Sequence, residues 1–188
     1  RHAVHVVPYG LDPSQFYPVP KSDARRQLAI PDDGRLTLLF VASSLANERK
    51  NLRALLDALR LEPDLPVRLL CLGEAPPDAA ANDPRVQYLA PRFTPAELRV
   101  VYAAADLFII TSLIDNLPNT VMESLFCGTP VLGASSGGIP DMVVPGQSGW
   151  LFDPRSPADL ARHLKTLAAD PAPAHDLGVA ERRTAAPR

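Results

Sequence analysis

Hydrophobic and polar positions along the chain fall into two alternating patterns. Continuous apolar runs at Val4–Val7, Leu36–Ala42, Val67–Gly73, Val86–Ala90, Leu107–Thr111 and Pro130–Gly133 predict strands buried on both faces. Between most of them lie segments with helical spacing. Leu52, Leu55, Leu56 and Leu59 recur at i, i+3, i+4 and i+7, which places them on one buried helix face. Thr94-Pro95-Ala96-Glu97 reads as a capping box with Pro at the first helical position, and it turns Leu98, Val101 and Tyr102 inward. Ser156-Pro157-Ala158-Asp159 repeats that chemistry before Leu160, Leu164 and Leu167. A further helix is expected from about Pro118 to Cys127, with Val121, Met122, Leu125 and Phe126 as core, stopped by Gly128 and Pro130.

Strand and helix alternating in this rhythm require parallel strands joined by crossover helices. The expected fold is α/β: a doubly wound, Rossmann-like parallel sheet with helices on both faces. Ligands of such sheets sit beyond the carboxyl ends of the strands. The loops to search are therefore 42–51, 73–84, 90–94, 111–119 and 133–141. Residues 171–188 lose apolar periodicity and are expected to form a tail or a weak helix.

Composition narrows the function classes. Over 188 residues, 19 Lys and Arg face 21 Asp and Glu, so a generic basic surface for nucleic acid or anionic membrane is not expected. Cys71 and Cys127 are the only cysteines, too few for a disulfide scaffold or a cysteine zinc site. No apolar run is long enough to span a bilayer, and there is no signal-peptide plan. A cytoplasmic location is the expectation. The dinucleotide fingerprint G-x-G-x-x-G, the P-loop and the G-x-S-x-G elbow are all missing. His2, His5, His163 and His175 are scattered without metal-ligand spacing, so neither a metal centre nor a triad is expected.

The remaining chemistry lies at strand ends. Arg49 and Lys50 precede the Leu52 helix, where free amides and the helix dipole favour an anion and disfavour cations. A bound phosphate reconciles the conflict; a solvated charge pair is the equal alternative on spacing alone. The stretch Ser112-Leu113-Ile114-Asp115-Asn116-Leu117-Pro118-Asn119-Thr120-Val121-Met122-Glu123 sets Asp115 in a loop and Glu123 in the following helix. A carboxylate among apolar helix neighbours is costly to bury unless hydrogen-bonded, and a pair of sugar hydroxyls suits it. A solvated helix face is the alternative for Glu123. Gly137-Gly138-Ile139-Pro140-Asp141 lets backbone approach a ligand closely, or is a plain tight turn.

Taken in order, these residues resemble the C-terminal, donor-binding half of a family-4 retaining glycosyltransferase of the GT-B fold. The resemblance runs from Val6-Val7-Pro8-Tyr9-Gly10-Leu11-Asp12, similar to the family's interdomain Ile-Pro-Asn-Gly-Val-Asp, to the helix at Ser156. Between these lie the basic loop ending in Lys50, Ala104-Ala105-Asp106-Leu107-Phe108, the E-x7-E region with Cys127-Gly128-Thr129-Pro130-Val131, and the Gly137-Gly138 turn. Residues 1–18 then read as the interdomain connection and first strand, 19–170 as the nucleotide-sugar domain and 171–188 as the tail. The resemblance implies that Glu123 binds the ribose hydroxyls and that Asp115 holds hydroxyls of the donor sugar. It implies that Lys50 neutralises the diphosphate, that Asn119, Thr120 and Val121 contact diphosphate and sugar, and that Gly137 and Gly138 border the donor. Residues near Ala90, Pro91 and Arg92 would border the base.

Four positions depart from the family's pattern. Asp115 replaces Glu, Pro118 stands where Gly is usual, and Asn51 replaces the Gly after the Lys. Ser43 stands where many members carry a second phosphate-binding Arg, and Arg49 is the expected substitute. A subset of bacterial polysaccharide-type members shows a similar Asp-Asn-x-Pro-Asn stretch. The function implied is transfer of a sugar from a nucleotide-sugar, UDP- or GDP-linked, to an acceptor in polysaccharide or glycoconjugate synthesis. Retention, no cofactor and no metal are implied with it. The family's N-terminal acceptor domain is not in this chain, which is expected to be inactive alone. That leaves peripheral membrane association to the full-length protein. Two other readings stand beside it: a nucleotide-sugar binding or regulatory module without turnover, and a GT-B-like sugar-nucleotide epimerase.

Overall fold

The computed structural model describes residues 10–74, 83–91 and 94–177. The expected strand Val4–Val7 lies outside them. The chain runs α1 (Lys21–Gln27), β1 (Leu36–Ser44), a 3-10 turn (Glu48–Lys50), α2 (Leu52–Leu61), β2 (Val67–Glu74), β3 (Val86–Leu89) and α3 (Pro95–Ala104). It continues through β4 (Leu107–Ile110), α4 (Asn119–Phe126), β5 (Val131–Ala134), α5 (Ile139–Met142), β6 (Gly149–Phe152) and α6 (Pro157–Ala169). The backbone at 172–177 is helical again.

All six strands form one parallel sheet in the order β3-β2-β1-β4-β5-β6. The inner strands β1, β2, β4 and β5 are buried on both faces, as their apolar runs predict. Strand β3, at the sheet edge, is only half-buried with Gln87 exposed, against the expectation for Val86–Ala90. Leu38, Leu39, Leu69, Leu70, Leu107, Ile109 and Leu132 are fully buried in the sheet. On one side α2 packs against α6; on the other α1 packs on α3, α3 on α4, and α4 on α5. The strand order reverses between β1 and β4, so crossovers from these two neighbours leave on opposite faces. A crevice at their carboxyl ends follows from the topology.

Local chemistry sets the helix ends. Thr94 and Glu97 form the expected reciprocal capping box, each accepting the other's backbone N–H. At α6 the box is only half closed. Ser156 accepts from the Asp159 N–H, but the Asp159 carboxylate turns to the N–H of Asp153 instead. Helix α4 ends in a Schellman motif: Gly128 N–H donates to the Leu125 carbonyl and Thr129 N–H to that of Ser124, with Gly128 at φ +77°.

Helix α1, strand β6 and the packing face of α4 also differ from expectation. Helix α1 buries only Ala24, so its sequence has no apolar period to read. Strand β6 is four residues opening on a glycine, and it owes its extended form to pairing with β5. On α4, Val121 is fully buried, whereas Met122, Leu125 and Phe126 are only half-buried, so the apolar face of that helix is wider than the core it covers.

The amino end of the β1–β4 seam is held by Asp106. Its carboxylate accepts from the Thr37 N–H at 2.8 Å, from Arg25 at 2.7 Å and from Lys21 at 2.6 Å. Arg25 also donates to the Ala104 carbonyl. One side chain thus ties β1, α1 and the start of β4. Replacing Asp106 by Ala strands the Thr37 N–H and removes the carboxylate that Lys21 and Arg25 share in a part-buried site, and should cost about 2–4 kcal/mol. Urea denaturation measures it; a loss below about 0.5 kcal/mol would contradict the anchoring role.

Candidate functional site

At the other end of the seam, strand ends and helix starts converge. Strand β1 pairs with β2 from Leu36 to Val41 and again at Ser44, but with β4 only at Leu38 and Leu39. Beyond those positions β1 and β4 separate, and their following loops line the gap. Thr111, fully buried at the end of β4, shares its hydroxyl proton between the carbonyls of Lys50 and Asn51, at 2.7 and 2.8 Å. The Leu113 N–H donates to the Arg49 carbonyl at 2.9 Å. These bonds hold the basic loop against the β4–α4 loop.

Lys50 and Asp115 meet in this gap, with Nζ 2.6 Å from Oδ2. Both side chains are largely shielded from water, at 19% and 14% exposure. The Arg49 guanidinium lies 3.7 Å from the other Asp115 oxygen and donates to the Ile114 carbonyl. Two cations therefore face one carboxylate, which leaves an excess positive charge. Neither cation sits inside α2. They belong to the 3-10 turn before it, whose N-cap Asn47 accepts from the Arg49 N–H. Asn51 joins the two helices at φ +53°, where glycine is unstrained and Asn is among the better tolerated side chains. The exchange from the family's Gly keeps the turn.

Helix α4 opens at the same gap. Its N-cap is Pro118, and no side chain caps its first turn, so the backbone donors around Asn119 and Thr120 are available to an anion. Asn119 is exposed and Thr120 half-buried. Val121, whose N–H donates to the Pro118 carbonyl, keeps its side chain in the core. The turn after β5 closes the third side. The Gly138 N–H donates to the Asp115 carbonyl at 2.8 Å, and the Ser136 hydroxyl to the Ser112 carbonyl at 2.6 Å. A Cβ on Gly137 would lie 2.1 Å from the Asp115 carbonyl oxygen, and one on Gly138 1.6 Å from that of Asn116. Both glycines thus serve close backbone packing against the Asp115 loop.

Glu123 sits one helical turn past Asn119. It is half-buried, not on a solvated face, and Oε2 accepts from the Tyr102 hydroxyl at 2.7 Å. Burial pushes its carboxyl above the usual range, with the Tyr102 bond pulling the other way. Ser43 is exposed at the end of β1, on the rim. Arg92 lies outside the described residues, while Ala90 and Pro91 follow β3 on the same side of the sheet. Sequence reasoning missed Tyr102 as a partner of Glu123, Thr111 as the clasp, and Ser112, whose buried hydroxyl has no hydrogen-bond partner. Among the described residues, no three His, Cys, Asp or Glu side chains cluster in a way that could hold a metal. None of their helices is long and apolar enough to cross a membrane.

Comparison with known proteins shows the family and the fold. The family model described as glycosyl transferases group 1 matches residues 35–170. A D-inositol 3-phosphate glycosyltransferase of Corynebacterium kroppenstedtii is 33% identical over 187 residues, covering 89% of this chain and 41% of that protein. The chain thus spans less than half the length of the curated relatives it matches. A sucrose-phosphate synthase from Thermosynechococcus elongatus superposes with a TM-score of 0.82 at 28% identity, over 96% of this chain and 47% of its own. An Anabaena protein, HepE, solved in complex with UDP and glucose, shares the fold at a TM-score of 0.76 and 24% identity, over 94% and 50%.

The close packing of the Gly138 turn can be tested directly. Gly138→Ala should lose about 1–3 kcal/mol by overpacking and displace Asp115. Gly146→Ala, at φ +75° in open space, should lose only the backbone strain of about 1 kcal/mol. Equal stability of Gly138→Ala and wild type in urea denaturation would contradict the packing described.

Proposed function

The chain belongs to the group 1 glycosyl transferases, and we propose that it supplies the donor-binding half of an enzyme that transfers a sugar from a nucleotide-sugar, with retention and without a metal. The observation that carries this reading is the Lys50–Asp115 pair in the crevice between β1 and β4, beside the uncapped start of α4. Cation, free amides and carboxylate stand together there. A diphosphate matches the first two, and a polyhydroxylated sugar matches the third.

In the proposed mechanism, the bond from the sugar C1 to the diphosphate oxygen breaks and its electron pair stays on that oxygen. The acceptor hydroxyl oxygen bonds to C1, and its proton passes to the departing diphosphate. Lys50, Arg49 and the α4 amides stabilise the charge that grows on the leaving group, the task a divalent ion performs elsewhere. Asn119 and Thr120 orient the phosphates. Asp115 accepts from sugar hydroxyls, and Glu123 from the ribose. The base lies towards Ala90 and Pro91, with Gly137 and Gly138 shaping the sugar side and Ser43 at the rim. The acceptor, its binding domain and a cytoplasmic setting in polysaccharide or glycoconjugate synthesis belong to the whole protein and to the same proposal.

Ligand fragments separate the three roles. Titration calorimetry should show Glu123→Gln weakening nucleoside, nucleoside diphosphate and sugar nucleotide alike, by about 1.5–3 kcal/mol. Lys50→Ala should spare the nucleoside and weaken the diphosphate, less so in high salt. Asp115 neutralises Lys50 before ligand arrives. Asp115→Ala should therefore bind bare diphosphate at least as tightly as wild type and lose the increment that the sugar adds. Equal weakening of diphosphate and sugar nucleotide in Asp115→Ala would overturn its assignment to the sugar.

Metal dependence is a separate measurement. Diphosphate binding should survive excess EDTA, and a loss restored only by Mg²⁺ or Mn²⁺ would refute the metal-free reading. The anomeric configuration of product made by the full-length protein tests retention.

A further inference from the structure

Tyr102 is a fully buried polar side chain beside the site, and its contacts leave it little freedom. Its ring is fully buried and meets Phe108 edge-on, with centroids 5.7 Å apart and planes at 78°. Its backbone carbonyl accepts from the Thr129 hydroxyl at 2.7 Å. Thr129 is itself locked to α4, its N–H and carbonyl both bonded to Ser124. The end of α3 and the end of α4 are thus stitched together. The one group left to act on something else is the Tyr102 hydroxyl, and it donates to Glu123 Oε2 at 2.7 Å.

That single bond has consequences for Glu123. A Glu side chain on a helix has three rotatable bonds, and a half-buried carboxylate without a partner would turn towards solvent. Tyr102 holds one oxygen on the inner side. The other oxygen, and the remaining lone pair of the first, stay open to donors from the cleft. We infer that Tyr102 is a positioning residue of the donor site, whose hydroxyl fixes the Glu123 carboxylate in the orientation that receives the ribose hydroxyls. The inference rests on the assignment of Glu123 to the ribose.

The bond also bears on protonation. Burial raises the Glu123 carboxyl, and the Tyr102 hydroxyl lowers it. Tyr102 itself is pushed well above its ordinary value by burial and by Glu123, so it keeps its proton and remains a donor. The other titratable neighbours are Cys127 on α4, pushed up to about 12 chiefly by burial, and Arg99 on α3, which acts on Cys127. Cys127 keeps its proton in the range where Glu123 titrates. A protonated Glu123 is a poorer acceptor for ribose, so binding should fall as pH drops through its titration. Loss of the Tyr102 hydroxyl removes a lowering influence and moves that fall to higher pH.

The test compares wild type, Tyr102→Phe, Glu123→Gln and the double variant by calorimetry. The probe is whichever of UDP, GDP and ADP binds most tightly, together with its 2′-deoxy form, from about pH 5 to about pH 8. Tyr102→Phe should weaken the ribose form about threefold to tenfold at neutral pH, move the acidic fall upwards, and add nothing in the Glu123→Gln background. The 2′-deoxy form should lose affinity in wild type and much less in Glu123→Gln. If Tyr102→Phe fails to fold, 3-fluorotyrosine at position 102 keeps the ring and strengthens the donor, and the acidic fall should move to lower pH. An unmoved fall, or an equal loss in both backgrounds, overturns the positioning role while the donor reading stands. Wild-type affinity in Glu123→Gln, or no binding of any of the three diphosphates, overturns the ribose assignment and this inference with it.

Discussion

The short seam between β1 and β4 is the constraint on which the rest depends. Only two positions pair across it, against an almost continuous ladder between β1 and β2. One end is drawn shut by Asp106, which gathers Thr37, Lys21 and Arg25. The other end opens, and Thr111 and Leu113 hold the two loops there without closing the gap. Because the sheet reverses its winding at this seam, the crossover helices leave on opposite faces, and among the described residues the topology places no helix over the opening. The crevice is a product of topology; its chemistry is a product of which residues stand at its edge.

That chemistry is electrostatically arranged before any ligand is present. Lys50 and Arg49 are carried in the last turn of a one-turn helix directly ahead of α2, and Asp115 pairs with both. A pair so shielded gains from strong attraction and loses hydration, so its net stabilisation is modest. Its value lies in keeping both groups ordered. In the proposed donor site, a sugar diphosphate would replace each partner with a better one: phosphate oxygens for the cations, hydroxyls for the carboxylate. Product diphosphate would satisfy only the first, leaving Asp115 facing an anion.

Much of this was legible in the sequence, for physical reasons that also mark where it stops. Strands β1, β2, β4 and β5 are buried on both faces along most of their length, which is why they read as apolar runs. The caps at Thr94 and Ser156 are local hydrogen bonds and therefore local signals. Helix α1 was not legible because a single buried alanine makes no period, and β6 was not because its neighbour β5 makes it a strand. Met122, Leu125 and Phe126 look like core but are half-buried, since helical spacing reports a face and not what covers it. In the site, Lys50, Asp115 and Glu123 stood out by residue type and order. Tyr102 did not, because its role depends on α3 and α4 lying side by side, a tertiary fact with no local pattern. Asp106 falls within a sequence motif, but its function as an anchor appears only when α1 folds against it.

The central claim is that ligand binds at the carboxyl ends of β1 and β4. The chain also has a hollow of about 510 Å³ at the amino end of the sheet, lined by Lys21, Arg25, Asp106, Asp170, His175 and others. Amide resonance shifts during titration with a nucleoside diphosphate distinguish the two most directly. The account predicts that the shifted amides cluster at residues 49–51, 112–121 and 137–138. Shifts centred on residues 21–25, 106 and 170–176 would contradict it.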